Sequence, residues 1–412
     1  MGLAAGRGST TRGERLREQE VLAVGQLLEQ IAEPANLAAA WARVRANAGA
    51  AGIDGQTVAA FAADAEHQLG SLRRRLLSAE RYVPPPVRRV DIPKPGKPGQ
   101  TRPLGIPTVA DRVVQQATRQ VIEPFFEAKF SPASFGYRPG RSATKAAWWV
   151  REAIRRGDQW VAEFDIVGFF NHLRHPRLLR EVAREVDDPE VIGLIRRWLQ
   201  AGVLTDEGVT PSTAGTPQGG VISPLLANIY LHRLDQEVRA AGHRLIRYAD
   251  DFVILADRRW KAEAADRLVR SIVADIGLEV AEDKSGIHRV DDGFEFLGFA
   301  FHGTRMVPRP ASLTRFKERV RLITRRNSPV SLRQVAEDLG PVLRGWGNYY
   351  AQGDVGDLFR RLDKWIRERL RFKAAGRATK LMRYKLTNQR LADLGLVSLV
   401  DLRRTRLSPA QG

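Results

Sequence analysis

The spacing of apolar residues divides the chain into successive segments. Up to about residue 78, apolar side chains recur with a helical period, as in Val21, Val24 and Leu28. Glycines at positions 49, 52 and 55 interrupt this pattern and predict a loop over residues 47–56. We therefore expect a helical N-terminal extension that ends near residue 80.

A proline-rich segment over residues 82–107 changes the pattern. The prolines at 84–86 and those between Pro93 and Gly99 exclude a helix. Val87, Val90 and Ile92 allow short strands between the turns. These features predict a basic hairpin, followed by a helix where helical spacing resumes over residues 108–128.

Two later strand signals end on carboxylates. The apolar run that begins at Trp160 ends at Asp165, which predicts a strand with a carboxylate at its end. Residues 244–248 and 251–255 form a second pair of strand signals, separated only by Ala249 and Asp250. So short a separation predicts a tight hairpin with Asp250 at its tip.

Beyond Gly303 the pattern predicts three helices. Leu313, Phe316, Val320 and Ile323 form one apolar stripe on the first helix. The second helix begins with Ser331 and Gln334 at the spacing of a capping box. The third helix carries four apolar residues in a basic sequence: Leu362, Trp365, Ile366 and Leu370.

Charge is concentrated in this last region. The 412 residues carry 66 Lys and Arg against 47 Asp and Glu, a net charge of +19. Residues 301–412 hold 25 of the cations and 9 of the acids, or +16. A field of this kind attracts polyanions such as nucleic acid, although a surface charged only for solubility is the alternative. No apolar run spans a bilayer, and the lack of cysteine excludes disulfides and thiolate zinc sites.

The hairpin tip suggests metal chemistry. Asp250 and Asp251 are adjacent carboxylates, whose repulsion a divalent cation such as Mg²⁺ would offset. If Asp165 lies beside them across a sheet, the carboxylates could hold two metal ions about 4 Å apart. Turn carboxylates that bond only to their own backbone are the alternative reading.

The motifs around these carboxylates resemble a known family. Residues 216–230 (TPQGGVISPLLANIY), followed by Tyr248-Ala249-Asp250-Asp251, closely resemble the reverse transcriptases of bacterial group II introns, the intron maturases. Similar segments of that family occur in the same order along the chain: Ile92-Pro93-Lys94, residues 102–108 (RPLGIPT), 134–142 (SFGYRPGRS), 164–170 (FDIVGFF), 296–299 (FLGF) and 344–350 (RGWGNYY).

The resemblance implies an α+β fold, a right-handed polymerase with a helical N-terminal extension. Its implied domains are a lead-in and helical extension over 1–80, fingers and palm with an antiparallel sheet over 81–303, a three-helix thumb or maturase domain over 304–373, and a basic C-terminal tail over 374–412. The chain ends soon after the thumb and has no cysteine, so we expect a form without an endonuclease domain.

The resemblance also assigns site residues. It implies that Asp165, Asp250 and Asp251 are catalytic and, with Ile166, bind two Mg²⁺ ions. A role for Asp251 in the geometry of the site, rather than in direct ligation, is the alternative. Five residues match nucleotide-binding positions, with Phe170 as the sugar gate that excludes a 2′-hydroxyl: Lys94, Arg102, Phe169, Phe170 and Gln218. We expect further residues to bind nucleic acid: Arg138, Arg141, Lys284, Arg315, Lys317, Arg319, Arg321 and Arg344.

Several of these assignments have plainer alternatives. Lys94 and Arg102 could belong to a solvated basic loop. Phe170 could be core packing, because aromatic residues beside a strand end usually are. Lys284 could form a surface salt bridge.

The expected activity is templated DNA synthesis on RNA. The expected partners are deoxynucleoside triphosphates, an RNA template with a DNA primer, target DNA and the parent group II intron RNA, whose splicing and mobility the protein would promote. We expect a bacterial cytoplasmic location near the nucleoid, without membrane association. Two alternatives stay open: a reverse transcriptase recruited to phage defence or RNA spacer acquisition, and an RNA splicing cofactor without polymerase activity.

Overall fold

The computed structural model describes residues 26–93, 99–205, 208–327, 329–375 and 384–407. These residues form two compact units. The first unit contains Met1–Pro139, Asp165–Ala241 and Leu268–Ala281, and the second contains Gly140–Phe164, Gly242–Arg267 and Glu282–Gly412. No helix among the described residues is both long enough and apolar enough to cross a membrane.

Helices make up most of the first unit. They span Gln26–Ile31 (α1), Pro34–Ala46 (α2), Val58–Ala63 (α3), Ala65–Leu77 (α4) and Val109–Glu127 (α5). The loop predicted over residues 47–56 lies between α2 and α3. Helix α5 begins where predicted, because the Thr108 hydroxyl caps it by accepting from the backbone N–H of Asp111 at 3.1 Å. Its neighbour α2 packs against it, and the Asn36 amide of α2 donates to the carbonyl oxygen of Ala117 in α5 at 3.1 Å.

The predicted basic hairpin is confirmed in the first unit. Strands Val87–Pro93 (β1) and Thr101–Ile106 (β2) pair antiparallel, with Arg102 opposite Ile92. Two short strands, Val203–Thr205 (β4) and Gly208–Thr210 (β5), extend this sheet, whose strand order is β2-β1-β4-β5.

The remaining elements of the first unit are helices. Two elements of the second unit precede them in the chain, namely Ala143–Arg155 (α6) and Trp160–Phe164 (β3). The helices of the first unit then span Phe169–His172 (α7), His175–Ala183 (α8), Pro189–Gln200 (α9) and Ser223–Ala240 (α10).

A four-stranded antiparallel sheet is central to the second unit. Its strands Arg244–Tyr248 (β6), Asp251–Ala256 (β7), Trp160–Phe164 (β3) and Gly286–Arg289 (β8) are in the order β6-β7-β3-β8. The predicted strand and tight hairpin are both confirmed. β7 is buried at every position after its first residue, because it lies between two strands and under helix α6. Helix Arg259–Asp275 (α11) contributes residues to both units.

The second unit continues with a small sheet and a helical region. Strands Phe294–Phe296 (β9), Phe299–His302 (β10) and Arg305–Pro308 (β11) form antiparallel neighbours. The three predicted helices follow at Pro310–Ile323 (α12), Leu332–Tyr350 (α13) and Gly356–Ala375 (α14). The predicted cap is confirmed, since the Ser331 hydroxyl accepts from the backbone N–H of Gln334 at 3.2 Å.

The segment predicted as a basic C-terminal tail, residues 374–412, contains helices. Two helices, Asn388–Asp393 (α15) and Leu399–Leu407 (α16), lie within the segment that we predicted as a tail. Helix α16 packs on α13 and α14. The buried carboxylate of Asp363 holds the start of α16, accepting from the backbone N–H of Leu399 at 2.9 Å and from that of Val400 at 3.2 Å. The Ser398 hydroxyl donates to the same carboxylate at 2.9 Å.

Candidate active site

The tip of the β6–β7 hairpin carries the paired carboxylates. Tyr248 pairs with Asp251, so Ala249 and Asp250 form the two-residue turn. Ala249 is buried and has a φ of 59°, a left-handed conformation that an L-residue adopts only at a cost. The surrounding fold therefore fixes the tip in a strained conformation, with Asp250 half-buried and Asp251 exposed.

A buried arginine supports this tip from within the second unit. Arg247 is fully buried, and its guanidinium donates to the carbonyl oxygen of Ala249 at 2.9 Å. This bond holds the backbone of the strained residue directly before Asp250. Sequence reasoning missed Arg247, because a basic residue in a strand reads as a solvent-facing position.

Asp165 directly follows β3, as predicted. Its strand neighbour Phe164 pairs with Phe252 of β7. Asp165 is half-buried, and its carbonyl oxygen accepts from the backbone N–H of Ala281 at 2.8 Å. The side chain of Ile166 is buried, so only its backbone could act as a metal ligand.

Two of the predicted nucleotide-binding residues, Phe170 and Gln218, line a cleft in the first unit. The cleft has a volume of about 170 Å³ and is lined by Phe170, Gln218, Arg89 and Asn171, among others. Phe170 is half-buried, and its ring faces this cleft. Phe169 is instead a core residue, only 2 % exposed, whose ring packs edge-on against Phe170 at 5.2 Å. The predicted nucleotide contact therefore fits the ring of Phe170, whereas the ring of Phe169 supports it.

The loop that carries Gln218 is tied to two neighbouring segments. The N–H of Thr216 donates to the carbonyl of Phe170 at 2.8 Å, and the carbonyl of Gln218 accepts from the N–H of Gly105 at 2.7 Å. Gly219 has a φ of 117°, and a Cβ there would lie 2.5 Å from the carbonyl oxygen of Gly105. Only glycine fits this close approach. Gly219 therefore lets the loop lie directly against strand β2.

A histidine also anchors this loop. His175 is buried, and its Nε2 lies 2.7 Å from the carbonyl oxygen of Gly215. Because a carbonyl only accepts, Nε2 carries the proton in this bond. No sequence motif indicated this anchoring role, because the partner carbonyl lies 40 residues away in the chain.

The structure describes only one of the two predicted fingers cations, Arg102 and Lys94. Arg102 is exposed on β2. Lys94 lies outside the described residues, so its role stays a prediction.

Arg138 occupies a different environment from the one we predicted. Its side chain is 3 % exposed and forms an ion pair with Glu127 at 2.8 Å. The guanidinium also donates to the carbonyl of Ser134 at 2.8 Å. Because these contacts bury the guanidinium inside the first unit, Arg138 has a structural role. The predicted contact of Arg138 with nucleic acid is therefore wrong.

The other predicted nucleic-acid residues are more accessible. Arg315, Arg319, Arg321, Arg344 and Lys284 are exposed, and Lys317 and Arg141 are half-buried. The guanidinium of Arg321 lies 5.9 Å from the centre of the Trp365 ring, within range of a cation–π contact. The exposed faces of α12 and α13 therefore present cations to solvent.

Among the described residues, no three His, Asp or Glu side chains lie together in an arrangement that could hold a metal ion. Burial raises the pKa of the carboxyl groups of Asp111, Asp158 and Glu163, the last of which lies two residues before Asp165. Burial raises the pKa of Asp111 to about 6, and burial followed by the nearby Glu295 raises that of Glu163 to about 7.

Comparison with known proteins identifies the class to which this site belongs. Residues 92–301 match the family described as "Reverse transcriptase (RNA-dependent DNA polymerase)". Residues 313–390 match the "Group II intron, maturase-specific domain". The first match covers half of the chain, and the chain therefore belongs to the reverse transcriptase family and carries a maturase-specific domain. The family's activity is that of an RNA-directed DNA polymerase, which uses divalent metal ions.

Individual relatives agree with this family. The chain is 34% identical over 320 residues to protein YkfC of Escherichia coli, an alignment that covers 67% of this chain and 83% of that protein. It is 41% identical over 157 residues to the group II intron-encoded protein LtrA of Lactococcus lactis, covering 38% of this chain but only 26% of LtrA. A solved Cas6-RT-Cas1–Cas2 complex shares 27% identity over 61% of this chain and 41% of its own, with a TM-score of 0.38.

Proposed function

We propose that the protein synthesises DNA on an RNA template with Mg²⁺ and deoxynucleoside triphosphates, with Asp165, Asp250 and Asp251 as its metal-binding residues. The observation that carries this proposal is the antiparallel pairing of β3 with β7, in which Phe164 lies opposite Phe252. Asp165 directly follows Phe164, and Asp251 directly precedes Phe252. Carboxylate oxygens are the ligands that Mg²⁺ prefers. Mg²⁺ is usually held by one or two carboxylates together with substrate phosphates, so a complete protein cage is not required beforehand.

The residues of the chain then have separate roles. Bound Mg²⁺ would lower the pKa of the primer 3′-hydroxyl and neutralise charge on the leaving pyrophosphate. Arg102 and Lys94 would pair with the triphosphate, Gln218 would orient the nucleotide, and the ring of Phe170 would exclude a 2′-hydroxyl. The strained tip, held by Arg247, would fix Asp250 before substrate arrives.

Primer extension tests this proposal. A DNA primer annealed to an RNA template should be extended in the presence of deoxynucleoside triphosphates and Mg²⁺, and EDTA should abolish extension. No extension on any RNA template, from protein shown to be folded, would reject it.

We further propose that the maturase-specific domain binds group II intron RNA and promotes its splicing. The charge of +16 over residues 301–412 and the exposed cations of α12 support this role. A transcript that contains the intron flanking the gene should splice faster at low Mg²⁺ when the protein is added. An equal splicing rate with and without protein would reject the maturase role and leave the polymerase proposal standing.

A further inference from the structure

The loop that carries Gln218 rests on a buried glutamine of helix α5. Gln115 is 4 % exposed, and its Oε1 accepts from the backbone N–H of Val221 at 2.8 Å. The same oxygen accepts from the N–H of Ile222 at 3.3 Å. Both amides follow Gln218 within four residues. One side-chain oxygen therefore holds the C-terminal half of the cleft loop.

The other end of the Gln115 amide is held by a buried carboxylate. Its Nε2 donates to Oδ2 of Asp111 at 2.8 Å, one helical turn earlier. The other oxygen of Asp111 accepts from the indole of Trp198 at 2.7 Å and the hydroxyl of Tyr82 at 3.1 Å. Asp111 is 1 % exposed. All three side-chain donors are neutral, and Arg75 lies beyond them, over the ring of Tyr82.

The carboxylate decides which way the amide of Gln115 points. An ionised carboxylate only accepts hydrogen bonds, so the NH₂ group must face Asp111 and the oxygen must face the loop. A flipped amide would set its NH₂ group against two backbone N–H groups and its oxygen against a carboxylate. Every bond of the amide would then be lost, and buried polar groups without partners are costly.

Two features of the position of Asp111 oppose the effect of burial on its charge. It lies in the first turn of α5, where the unpaired N–H groups and the helix dipole stabilise an anion. Burial raises its pKa to about 6, while hydrogen bonds from Trp198, Gln115 and Tyr82 lower it. The group is therefore mostly ionised at neutral pH and can fix the amide.

Two independent ties thus hold the loop, one at Gln218 itself and one three to four residues after it. The N–H of Gly105 binds the carbonyl of Gln218 itself, and Gln115 binds the amides of Val221 and Ile222. The Gly105 tie belongs to the β1–β2 hairpin, and the Gln115 tie belongs to helix α5. The loop conformation that presents Gln218 to the cleft depends on both.

We propose that Gln115, oriented by Asp111, is a positioning residue for the incoming nucleotide. The pair does not touch the nucleotide. It acts by holding the loop of Gln218, so its loss raises the KM for deoxynucleoside triphosphates more than it lowers kcat. This inference rests on the proposed polymerase function and adds residues to its nucleotide site.

Gln115→Leu tests the proposal, with Gln116→Leu as the matched control. Gln116 is the next residue on α5 and is also buried, but its amide donates to Gln120 rather than to the cleft loop. Loss of the loop anchor in Gln115→Leu should raise the KM for deoxynucleoside triphosphates about tenfold on an RNA template. Gln116→Leu should leave this KM within about twofold of wild type.

A second readout does not depend on activity. Hydrogen–deuterium exchange of the peptide over residues 216–224 should be faster in Gln115→Leu, whereas Gln116→Leu should match wild type. Unchanged KM and unchanged exchange in folded Gln115→Leu would overturn the inference. If wild-type protein extends no primer, the proposed function fails, and the exchange measurement still decides whether Gln115 holds the loop.

Gln115→Glu covers the case in which Gln115→Leu does not fold. This variant keeps the oxygen that accepts from the loop but places a second carboxyl group beside Asp111. Two adjacent carboxylates share one proton, so the loop contact should weaken as pH rises and that proton is lost. The KM of Gln115→Glu relative to wild type should therefore increase between about pH 6 and about pH 8.5. A constant ratio over this range would contradict the proposed contact.

Discussion

Phe164 and Phe252 pair across strands β3 and β7, and their rings stack with centroids 5.0 Å apart. Asp165 is the next residue after Phe164, and Asp251 is the residue before Phe252. The stacked pair fixes the strand register, and a slip of one residue would send each neighbouring side chain to the other face of the sheet. The proposed metal-binding carboxylates thus depend on an aromatic contact.

Asp250→Asn should abolish polymerisation while the fold survives. The substitution removes a ligand charge from the exposed tip, so primer extension on RNA should fall by about a thousandfold or more. Asp257→Asn is the matched control, since Asp257 lies at the opposite end of the same hairpin in an exposed ion pair with Lys261. Extension by Asp250→Asn at the rate of the control would reject the metal-site assignment.

Replacing Phe170 with Val should admit ribonucleotides. The smaller side chain leaves room for a 2′-hydroxyl, so the ratio of ribonucleotide to deoxynucleotide kcat/KM should rise about tenfold or more. Phe61→Leu is the control, because this ring is fully buried against Trp41 and does not line the cleft. It should lower stability by about 1 to 3 kcal/mol and leave the ratio unchanged. An unchanged ratio in Phe170→Val would assign Phe170 to packing alone.

Neutralising Arg315, Arg319 and Arg321 should weaken RNA binding and its salt dependence. Each lost phosphate contact should reduce the slope of log affinity against log salt by roughly 0.7 to 0.9. Binding titrations of intron RNA at several salt concentrations measure this slope. The matched control neutralises three exposed arginines of α8 and α9, namely Arg180, Arg184 and Arg196.

The same variants separate splicing from synthesis. Asp250→Asn should keep wild-type RNA affinity and splicing at low Mg²⁺, whereas the triple variant of α12 should lose both. Loss of splicing in Asp250→Asn despite normal RNA binding would show that the two functions share the metal site.

The buried carboxyl of Asp111 should leave a signature in stability against pH. Its pKa is raised from 3.8 to about 6 in the folded state, so the folded protein keeps a proton that the unfolded chain releases. This contribution to the free energy of unfolding therefore falls as pH rises from about 4 to about 6, by roughly 3 kcal/mol, and is constant above. Denaturant unfolding at several pH values between about 4 and about 6 gives the free energy of unfolding of wild type and of Asp111→Asn. Plotted against pH, this free energy should fall more steeply in wild type than in Asp111→Asn. Parallel curves would contradict the raised pKa.

Asp363→Ala should release helix α16 from the helices on which it packs. The substitution leaves the N–H groups of Leu399 and Val400 and the Ser398 hydroxyl without their acceptor, at a cost of about 1 to 3 kcal/mol for each buried group. Hydrogen–deuterium exchange over residues 398–407 should increase. Asp357→Ala is the control, because Asp357 is exposed on the same helix. Equal exchange in the two variants would mean that Asp363 does not hold α16.

The sequence by itself determined the elements whose signals are local. The prolines, together with Val87, Val90 and Ile92, specified the hairpin β1–β2, and the short gap at Ala249-Asp250 specified the turn that carries Asp250. The helix cap at Ser331 was readable because its bonding partner, Gln334, lies three residues away. The motifs around Asp165 and Asp250 were likewise contiguous, so the reverse transcriptase family could be recognised without knowledge of packing.

Only the tertiary structure decided the roles that depend on partners distant in the chain. A sequence motif could not show that Arg138 pairs with Glu127, or that Gln115 reaches Val221 more than a hundred residues later. Nor could it separate the core ring of Phe169 from the cleft ring of Phe170. Burial and hydrogen bonding of a polar side chain are set by which surfaces pack together, and that packing follows from the whole fold rather than from neighbours in sequence.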